Sequence, residues 1–296
     1  MDVSVIIVNY NTRKLTIECL QSIYAHTKNL DIEVIVVDNA SKDDSCAAIR
    51  REYPQVKLIT SNKNEGFGRA NNLGVQAAQG KYLFFLNSDT VLIKNSIYTL
   101  FEFNEKYSSK LKIGVSGAVL LDSNKVETGS FGPLPTIKLV LKSIFGLLPR
   151  FTSMTPEDRK LFNENGYLEV GYVMGADMFI LKSTFEEVGG FDPAFFMYYE
   201  ETDLQRRLKV TGLQNFLIEN AQIVHLEGAS VNKGNSNNRK RIISTKSLLY
   251  YFRKHSKRFD FLLFKSVFFA SRLLTVFQSQ YTWGEKKEYL LEIVKS

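Results

Sequence analysis

Asparagine and aspartate residues recur directly after short apolar runs in the first third of the sequence. Any one group is explained by a turn, since both residue types favour turns. Groups that follow consecutive runs indicate a common site instead, because ligands bind outside the carboxyl ends of the strands in open α/β sheets. The four groups are Asn9-Tyr10-Asn11, Asp38-Asn39, Asn62 with Asn64, and Asn87-Ser88-Asp89.

Asp89 and His225 are the candidate metal ligands. Asp89 follows closely on the apolar run 82–86, which is typical of a buried strand, and His225 ends the run 221–224. A carboxylate suits a hard divalent cation that keeps open positions for phosphate oxygens. Manganese also accepts an imidazole nitrogen. We therefore expect a Mg²⁺ or Mn²⁺ site, with a purely structural role as the alternative for His225.

Three carboxylates, Glu200, Glu201 and Asp203, follow the aromatic run 195–199. Helix capping could explain them, since the helix dipole stabilises acids in a first turn. The aromatic residues that precede them, however, place these carboxylates beside an apolar surface, which is the environment in which a general base works. Their positions on the predicted helix give Asp203 a structural or acceptor-orienting role.

Apolar runs alternate with helical patterns through the first half of the chain, which is typical of a mostly parallel sheet flanked by helices. The predicted fold class is therefore α/β. After Asp122, scattered prolines indicate a variable excursion over the site, with a helical patch at 137–148. The predicted strands are residues 3–8, 33–37, 57–60, 82–86 and 221–224, and the predicted helices include about 67–79 and 201–210.

Two other enzyme classes are disfavoured by the glycine pattern. Gly66-Phe67-Gly68 matches the start of a dinucleotide fingerprint, but it follows the third strand, and Asn71 stands where the third glycine is required. The motif therefore disfavours an NAD or FAD oxidoreductase. A nucleotidyltransferase would carry a glycine-rich loop after the first strand, where this sequence has Asn9-Tyr10-Asn11.

The 296-residue chain has a formal net charge of +7, and its charge is unevenly distributed. Residues 239–258 include eight Lys or Arg residues and no acid. Such a stretch suits nucleic acid or an anionic membrane surface. The aromatic run 259–277 favours the membrane, and its interruption by Lys265 and Arg272 favours a helix lying in the interface over a spanning one. A helix packed on the catalytic domain is the equal alternative.

The compartment follows from the cysteines and the N-terminus. Only Cys19 and Cys46 occur, both in helical patterns, which favours two free thiols in a reducing compartment. Residues 1–11 have no basic segment before the apolar run, so they predict a strand and not a signal peptide. We therefore expect a cytoplasmic protein, with peripheral contact to the membrane.

Taken together and in order, the motifs of residues 1–230 resemble family 2 glycosyltransferases of the GT-A fold. The resemblance is strongest to bacterial rhamnosyltransferase-like enzymes that build surface polysaccharides. It implies transfer of a sugar, such as rhamnose, from a nucleotide-diphosphate sugar to a glycan or lipid-linked acceptor hydroxyl. The motifs are VSVIIVNYN, VVDNAS, NEGFGRANNLG, YLFFLNSDT, MGADMFILK to GGFDPAFFMYYEETDLQRRL, and IVHLEGAS.

The resemblance also implies roles for individual residues. The first strand end and the Asp after the second strand hold the nucleotide in this family, and a later turn lies against it. The positions that correspond to these in this sequence are Asn9, Tyr10, Asp38, Asn64, Arg69 and Asn72.

The resemblance places metal and base later in the chain. The DxD-type motif corresponds to Asn87-Ser88-Asp89, with Asp89 as the metal ligand, and the late histidine corresponds to His225. The family's base is the Asp of a Glu-Asp pair, whereas this sequence has Glu201 after Glu200. The resemblance therefore implies Glu201 as the base of an inverting, metal-dependent transfer, with Glu200 as the alternative.

These observations predict a catalytic domain at 1–235 and a basic, aromatic helical extension at 236–296. A catalytically inactive relative that binds a sugar nucleotide or a glycan is the alternative function.

Overall fold

The computed structural model describes residues 1–146, 155–226, 236–277 and 281–296. The described residues fall into two compact units. The first unit consists of residues 1–134, 155–193 and 201–226, and the second of residues 135–146, 194–200, 236–277 and 281–296. The predicted boundary at 235 lies outside the described residues, and the division into a catalytic domain and an extension stays a prediction.

The first unit is built around a large mixed sheet. Its strands are β1 (Val3–Asn9), β2 (Ile32–Asp38), β3 (Lys57–Thr60), β4 (Tyr82–Asn87), β5 (Thr90–Leu92), β6 (Ile113–Leu121), β8 (Tyr167–Val170), β10 (Asp177–Leu181) and β11 (Gln214–His225), while β7 (Phe131–Gly132) and β9 (Tyr172–Val173) form a separate pair. The order within the main sheet is β3-β2-β1-β4-β10-β6-β11-β5, with β8 pairing on β11.

The parallel register of the first four strands brings the predicted polar groups to one edge. Asn9 pairs with Asp38 across β1 and β2, and Val8 pairs with Asn87 across β1 and β4. β1, β2 and β4 are mostly apolar and buried, as expected of strands covered on both faces, whereas β3 at the end of the strand order is less buried. The predicted α/β fold class is therefore confirmed.

Helices of the first unit cover the sheet. The α-helices of both units, in chain order, are α1 (Arg13–His26), α2 (Ser45–Glu52), α3 (Phe67–Ala77), α4 (Ser96–Tyr107), α5 (Ile137–Ile144), α6 (Pro156–Asn165), α7 (Lys182–Glu187), α8 (Glu200–Val210), α9 (Ser236–His255), α10 (Arg258–Leu273) and α11 (Trp283–Lys295).

Both cysteines are free thiols, as predicted, and burial raises the pKa of Cys19 to about 12.

Two central strands differ from the sequence-based expectation. β6 was not predicted, because Gly114, Ser116 and Gly117 dilute the apolar pattern of this segment. β10 runs antiparallel to both β4 and β6, a direction that an apolar run alone cannot reveal. The predicted strand at 221–224 is only the end of β11, whose register on β6 shifts before Gln222.

The second unit is helical and has its own core. α9, α10 and α11 enclose Leu249, Tyr251, Phe264, Tyr289 and Ile293, and α5 packs against the same cluster. The segment 194–200 contributes Phe195 to this core. The predicted helical patch at 137–148 forms α5 over Ile137–Ile144, and residues 147–154 lie outside the described part.

Among the helices that the structure describes, none is both long enough and apolar enough to cross a membrane.

Candidate active site

The ends of β1 and β2 are locked together by side-chain hydrogen bonds. The Asn9 amide donates to Asp38 Oδ1 at 2.7 Å and to Ser41 Oγ at 3.0 Å, and the Ser41 backbone N–H donates to Asp38 Oδ2 at 3.0 Å. Thr12 and Thr16 both donate to Asn9 Oδ1. Asn9 is fully buried, so its side chain fixes the position of Asp38 at the sheet edge.

Tyr10 lies beside this network and is 46% exposed, so its ring is available to a ligand. The next residue, Asn11, has a φ of 54°, which turns the chain out of β1 at this point. Its carbonyl oxygen Oδ1 accepts a hydrogen bond from the Lys42 backbone N–H at 2.7 Å. The backbone after β1 is therefore tied to the backbone after β2.

A second network holds the turn into α3. The Asn39 amide donates to Asn64 Oδ1 at 3.0 Å and to the Gly66 carbonyl at 3.1 Å, while Asn39 Oδ1 accepts from the Glu65 N–H at 2.8 Å. Gly66 has a φ of 83°, a conformation that suits glycine and that starts α3 at Phe67. Asn64 is thus placed at the same edge as Asn39.

Arg69 and Asn72 project from the first turns of α3 toward residues 190–193. Asn72 exchanges two hydrogen bonds with the backbone of Phe191, at 2.8 and 3.1 Å. Arg69 Nε donates to the Pro193 carbonyl at 2.6 Å, and the Arg69 side chain remains 47% exposed. Asn72 therefore joins two chain segments, while the guanidinium of Arg69 has room to contact a ligand.

Asp89 and His225 meet at the carboxyl end of β4. His225 Nε2 lies 3.2 Å from Asp89 Oδ1, and both side chains are largely buried. Backbone pairing between β5 and β11 creates this contact. Thr90 at the start of β5 pairs with His225 at the end of β11, and the Leu226 N–H donates to the Asp89 carbonyl. The structure thus brings together the two predicted metal ligands.

The donor atoms of this pair fit a divalent cation such as Mn²⁺. A carboxylate oxygen and an imidazole nitrogen lie side by side, and both are ligand types that this ion accepts. Within the described ranges, which exclude residues 227–235, no cluster of three or more His, Cys, Asp or Glu residues could hold a metal. A cation on this pair would therefore keep positions for phosphate or water oxygens.

Glu201 lies at the same end of β4 as Asn87. A Cβ atom built on Gly175 would lie 3.5 Å from Cβ and from Cγ of Glu201, so the glutamate packs directly over this glycine. The next residue, Ala176, accepts a hydrogen bond on its carbonyl from the Asn87 N–H at 2.9 Å. The carboxylate of Glu201 therefore belongs to the edge that carries the Asn87-Ser88-Asp89 motif.

α8 is anchored so that its first turn is fixed. Leu204 and Leu208 are fully buried, and Gln205 exchanges hydrogen bonds with the Val173 backbone at 2.7 and 2.8 Å. Asp203 is buried and accepts from Arg207 Nε at 2.9 Å. This ion pair ties Asp203 to its own helix, and its structural or acceptor-orienting role stays a prediction.

The segment before α8 has an unusual backbone and belongs to the second unit. Tyr198 and Tyr199 have φ values of 70° and 69°, although both carry bulky side chains. Ser247 of α9 donates to the Met197 carbonyl at 2.8 Å, and the Tyr199 ring lies 5.6 Å from that of Tyr251. α9 therefore holds this segment, which leads directly into the buried Glu200.

Sequence reasoning missed several residues that shape the site. Thr12, Thr16 and Ser41 complete the Asn9 to Asp38 network through their hydroxyl groups. Asp177 at the start of β10 is completely buried, and one of its oxygens accepts from the Ala118 N–H. Burial raises the pKa of Asp177 well above its usual range.

An open α/β sheet with polar strand ends thus carries a carboxylate-histidine pair after β4 and a carboxylate on the adjoining helix α8. The family model for glycosyl transferase family 2 matches residues 4–162, which is more than half of the chain. The chain belongs to this family, and the family membership predicted from the sequence motifs is confirmed.

Curated relatives are glycosyltransferases of glycan synthesis. N-acetylglucosaminyl-diphospho-decaprenol L-rhamnosyltransferase of Mycobacterium tuberculosis is 26% identical over 214 residues, covering 68% of this chain and 69% of the relative. The low-salt glycan biosynthesis hexosyltransferase Agl10 of Haloferax volcanii is 27% identical over 229 residues, covering 75% and 66%. The chain is an enzyme of this type, a glycosyltransferase that acts in glycan synthesis.

Solved structures share the fold at low sequence identity. GalNAc-T7 with UDP, GalNAc and Mn²⁺ has a TM-score of 0.63 at 17% identity, covering 86% of this chain and 48% of that one. Mannosyltransferase PcManGT from Pyrobaculum calidifontis, in complex with GDP-Man and Mn²⁺, has a TM-score of 0.57 at 15% identity, covering 99% and 86%. These similarities show the GT-A fold.

Proposed function

We propose that this enzyme transfers a sugar from a nucleotide-diphosphate donor to an acceptor hydroxyl in a single, inverting displacement. The observation that carries the proposal is the placement of Glu201 over Gly175. The next residue, Ala176, accepts the hydrogen bond of the Asn87 N–H on its carbonyl. This contact puts a half-buried carboxylate beside the motif that contains Asp89. A base and a site for the leaving group are both needed for such a displacement.

The donor nucleotide would occupy the edge formed by β1, β2 and the turn into α3. Asp38 is held in place by Asn9 and Ser41 and offers carboxylate oxygens to ribose hydroxyls. The exposed ring of Tyr10 offers a stacking surface for the base. Asn64 lies at the same edge, and Asn72 keeps α3 fixed on the Phe191 backbone. These contacts support the binding roles implied by the family.

Asp89 and His225 would hold the divalent cation, Mg²⁺ or Mn²⁺. When bound there, the ion would supply positive charge to the diphosphate oxygens. Arg69 lies 3.7 Å from Glu65 and is 47% exposed, and its guanidinium would donate to the same diphosphate.

Glu201 would perform the proton transfer. Its carboxylate accepts the proton of the acceptor hydroxyl while that oxygen forms a bond to the anomeric carbon. The bond from the anomeric carbon to the diphosphate oxygen breaks, and its electron pair leaves with the nucleotide diphosphate. Attack opposite the leaving group inverts the anomeric configuration. Placement at the N-terminus of α8 favours the ionised form that a base requires.

The acceptor and location are inferred from the named relatives. The Mycobacterium relative acts, by its name, on a sugar carried by a diphospho-lipid. We infer a glycan hydroxyl on a lipid carrier as the acceptor and rhamnose from a dTDP donor as the transferred sugar. The enzyme would then work as a peripheral protein at the cytoplasmic face of a membrane.

A donor panel tests this proposal. Purified enzyme is incubated with UDP-, dTDP- and GDP-sugars in the presence of Mg²⁺ or Mn²⁺, and release of the nucleoside diphosphate is measured. Release from one donor class that stops with a chelator is the expected result. If no donor releases nucleoside diphosphate, the donor assignment is overturned. If release continues in the presence of the chelator, the metal assignment is overturned.

A further inference from the structure

Exposed large apolar side chains concentrate on the last two helices of the second unit. Phe259 is 76% exposed, Leu263 is 58% exposed and Trp283 is 72% exposed, although all three lie in or beside regular helices. Scattered apolar residues are normal on a protein surface, but a contiguous group marks an interaction site.

α10 is apolar on two opposite sides. Its inner side buries Phe261, Phe264 and Phe268 in the core of the second unit. At about 100° per residue, the opposite side carries an uncharged stripe within an arc of about 100°. That outer stripe consists of Phe259, Leu262, Leu263, Ser266, Ala270 and Leu273.

α11 separates its apolar residues from its acids in the same way. Trp283, Leu291 and Val294 share one side of the helix with Lys287, within an arc of about 80°. The three acids of this helix, Glu285, Glu288 and Glu292, lie on the opposite side. An anionic surface could therefore approach the apolar side without meeting these carboxylates.

The two helices contribute to one continuous surface. A groove of about 400 Å³ lies between them, lined by Phe269 of α10 and by Trp283, Leu290 and Val294 of α11. We call the outer stripe of α10 together with Phe269, Trp283, Leu291 and Val294 the outer apolar face.

Cations lie beside the outer apolar face, and their positive charge favours an anionic partner. Lys257 and Arg258 are exposed at the start of α10, and Lys287 is exposed on α11. Lys265 donates to the Val294 carbonyl at 2.9 Å, and the Arg272 guanidinium packs 4.6 Å from the Phe268 ring. Exposed cations beside an apolar surface suit an anionic lipid interface.

We propose that the outer apolar face docks on an anionic lipid bilayer, with α10 lying in the plane of the interface. Apolar burial and attraction between cations and anionic headgroups act together in such binding. The purpose of docking rests on the proposed lipid-linked acceptor, but docking itself requires neither donor nor acceptor. Its failure and the failure of the proposed function are therefore distinguishable.

Trp283 is the single tryptophan of the chain and reports directly on this face. Full-length protein is titrated with phosphatidylcholine vesicles, with or without phosphatidylglycerol. We expect a shift of Trp283 emission to shorter wavelength with the anionic vesicles, quenching by brominated lipid, and weaker binding at high salt. Unchanged emission with anionic vesicles would overturn the proposal.

Point substitutions are sharper than truncation, because removing residues 259–296 would also remove core residues such as Phe264 and Tyr289. L262E/L263E changes two exposed side chains and should weaken vesicle binding at least about tenfold, since burial of one leucine is worth that much in an equilibrium constant. Val210→Glu, at a still more exposed apolar position in α8, is the control and should bind like wild type.

The alternative occupant is a second copy of the chain. In that case Trp283 emission would shift with protein concentration without vesicles, and L262E/L263E would change the oligomeric state. That outcome would overturn docking on lipid. Donor hydrolysis in solution should be unchanged in L262E/L263E under either outcome. This measurement is the control that the variant is correctly folded.

Discussion

The strand ends and the start of α8 present their polar groups in opposite ways. At the ends of β1 and β2, Asn9 and Asp38 are buried and bonded to each other and to neighbouring hydroxyls. At the start of α8, Glu201 is only partly buried and packs over Gly175, which offers no side chain. The first arrangement is complete before any ligand arrives, whereas the second leaves the Glu201 side chain partly exposed.

This difference fits the proposed division of the site into a part that binds the donor and a part that reacts. A hydrogen-bonded frame holds a ligand in one orientation, as binding requires. A base, in contrast, must approach the proton of an incoming hydroxyl. Asp89 with His225 lies between these two extremes, since the two side chains contact each other and yet carry donor atoms that a cation could share.

Asp89→Ala should have the largest effect on turnover. Removal of the carboxylate should lower donor turnover by about a thousandfold or more, since metal stabilisation of a leaving group is worth several kcal/mol. Release of nucleoside diphosphate is the measurement, and thermal unfolding checks the fold. Glu164→Ala, an exposed carboxylate of α6, is the control. Full activity of Asp89→Ala would show that Asp89 and His225 are only part of the hydrogen-bonded framework and take no part in turnover.

Glu201→Gln should lower sugar transfer at least about a hundredfold, the usual contribution of a general base, with donor affinity nearly unchanged. Transfer to acceptor and donor binding are measured separately. Glu200→Gln is the matched control, because Glu200 is buried at the adjoining position. A smaller loss for Glu201→Gln than for Glu200→Gln would assign the base to Glu200 and break the proposed contrast.

His225→Ala should have a smaller effect, about tenfold on the concentration of Mn²⁺ that gives half-maximal activity, in the range of lost metal-site interactions. The reason is that Asp89 and diphosphate oxygens remain. The metal titration is combined with thermal unfolding in metal-free buffer. A protein that no longer folds would identify His225 as a structural histidine.

Asp177→Asn should leave turnover nearly unchanged and alter only the pH dependence of stability. The pKa of Asp177 is raised by burial, so the folded state holds its proton more tightly than the unfolded state. Stability is therefore retained below the unfolded pKa of about 3.9 and lost as the pH rises above it. Thermal unfolding from pH 4 to 8 should show a smaller loss for Asp177→Asn than for wild type. Identical pH profiles would contradict this account.

Much of the first unit could be predicted because its strands are continuous apolar runs. β1 to β4 were placed to within a residue or two, and the polar groups after them follow from parallel pairing. β6 and the direction of β10 could not be predicted. Pairing partners that are distant in sequence decide both, and hydrophobic periodicity carries no such information.

The site shows the same limit. The residue types at positions 38, 89, 201 and 225 were identified from motifs and resemblance, and the structure places Asp89 beside His225. The packing of Glu201 on Gly175 depends on how α8 meets the start of β10, which no local pattern encodes. The structural pairing of Asp203 with Arg207 was easier to anticipate, because residues four apart on a helix are neighbours.

The two successive tyrosines with positive φ before α8 have a consequence for protein engineering. A positive φ costs a bulky residue about 1–2 kcal/mol, so Gly at position 198 or 199 would relieve the backbone. The same exchange would remove the ring contacts of Tyr198 with Lys240 and of Tyr199 with Tyr251. It would also give the unfolded chain more conformational freedom. A consensus search for thermostable variants should therefore leave this tyrosine pair unchanged and look for gains elsewhere.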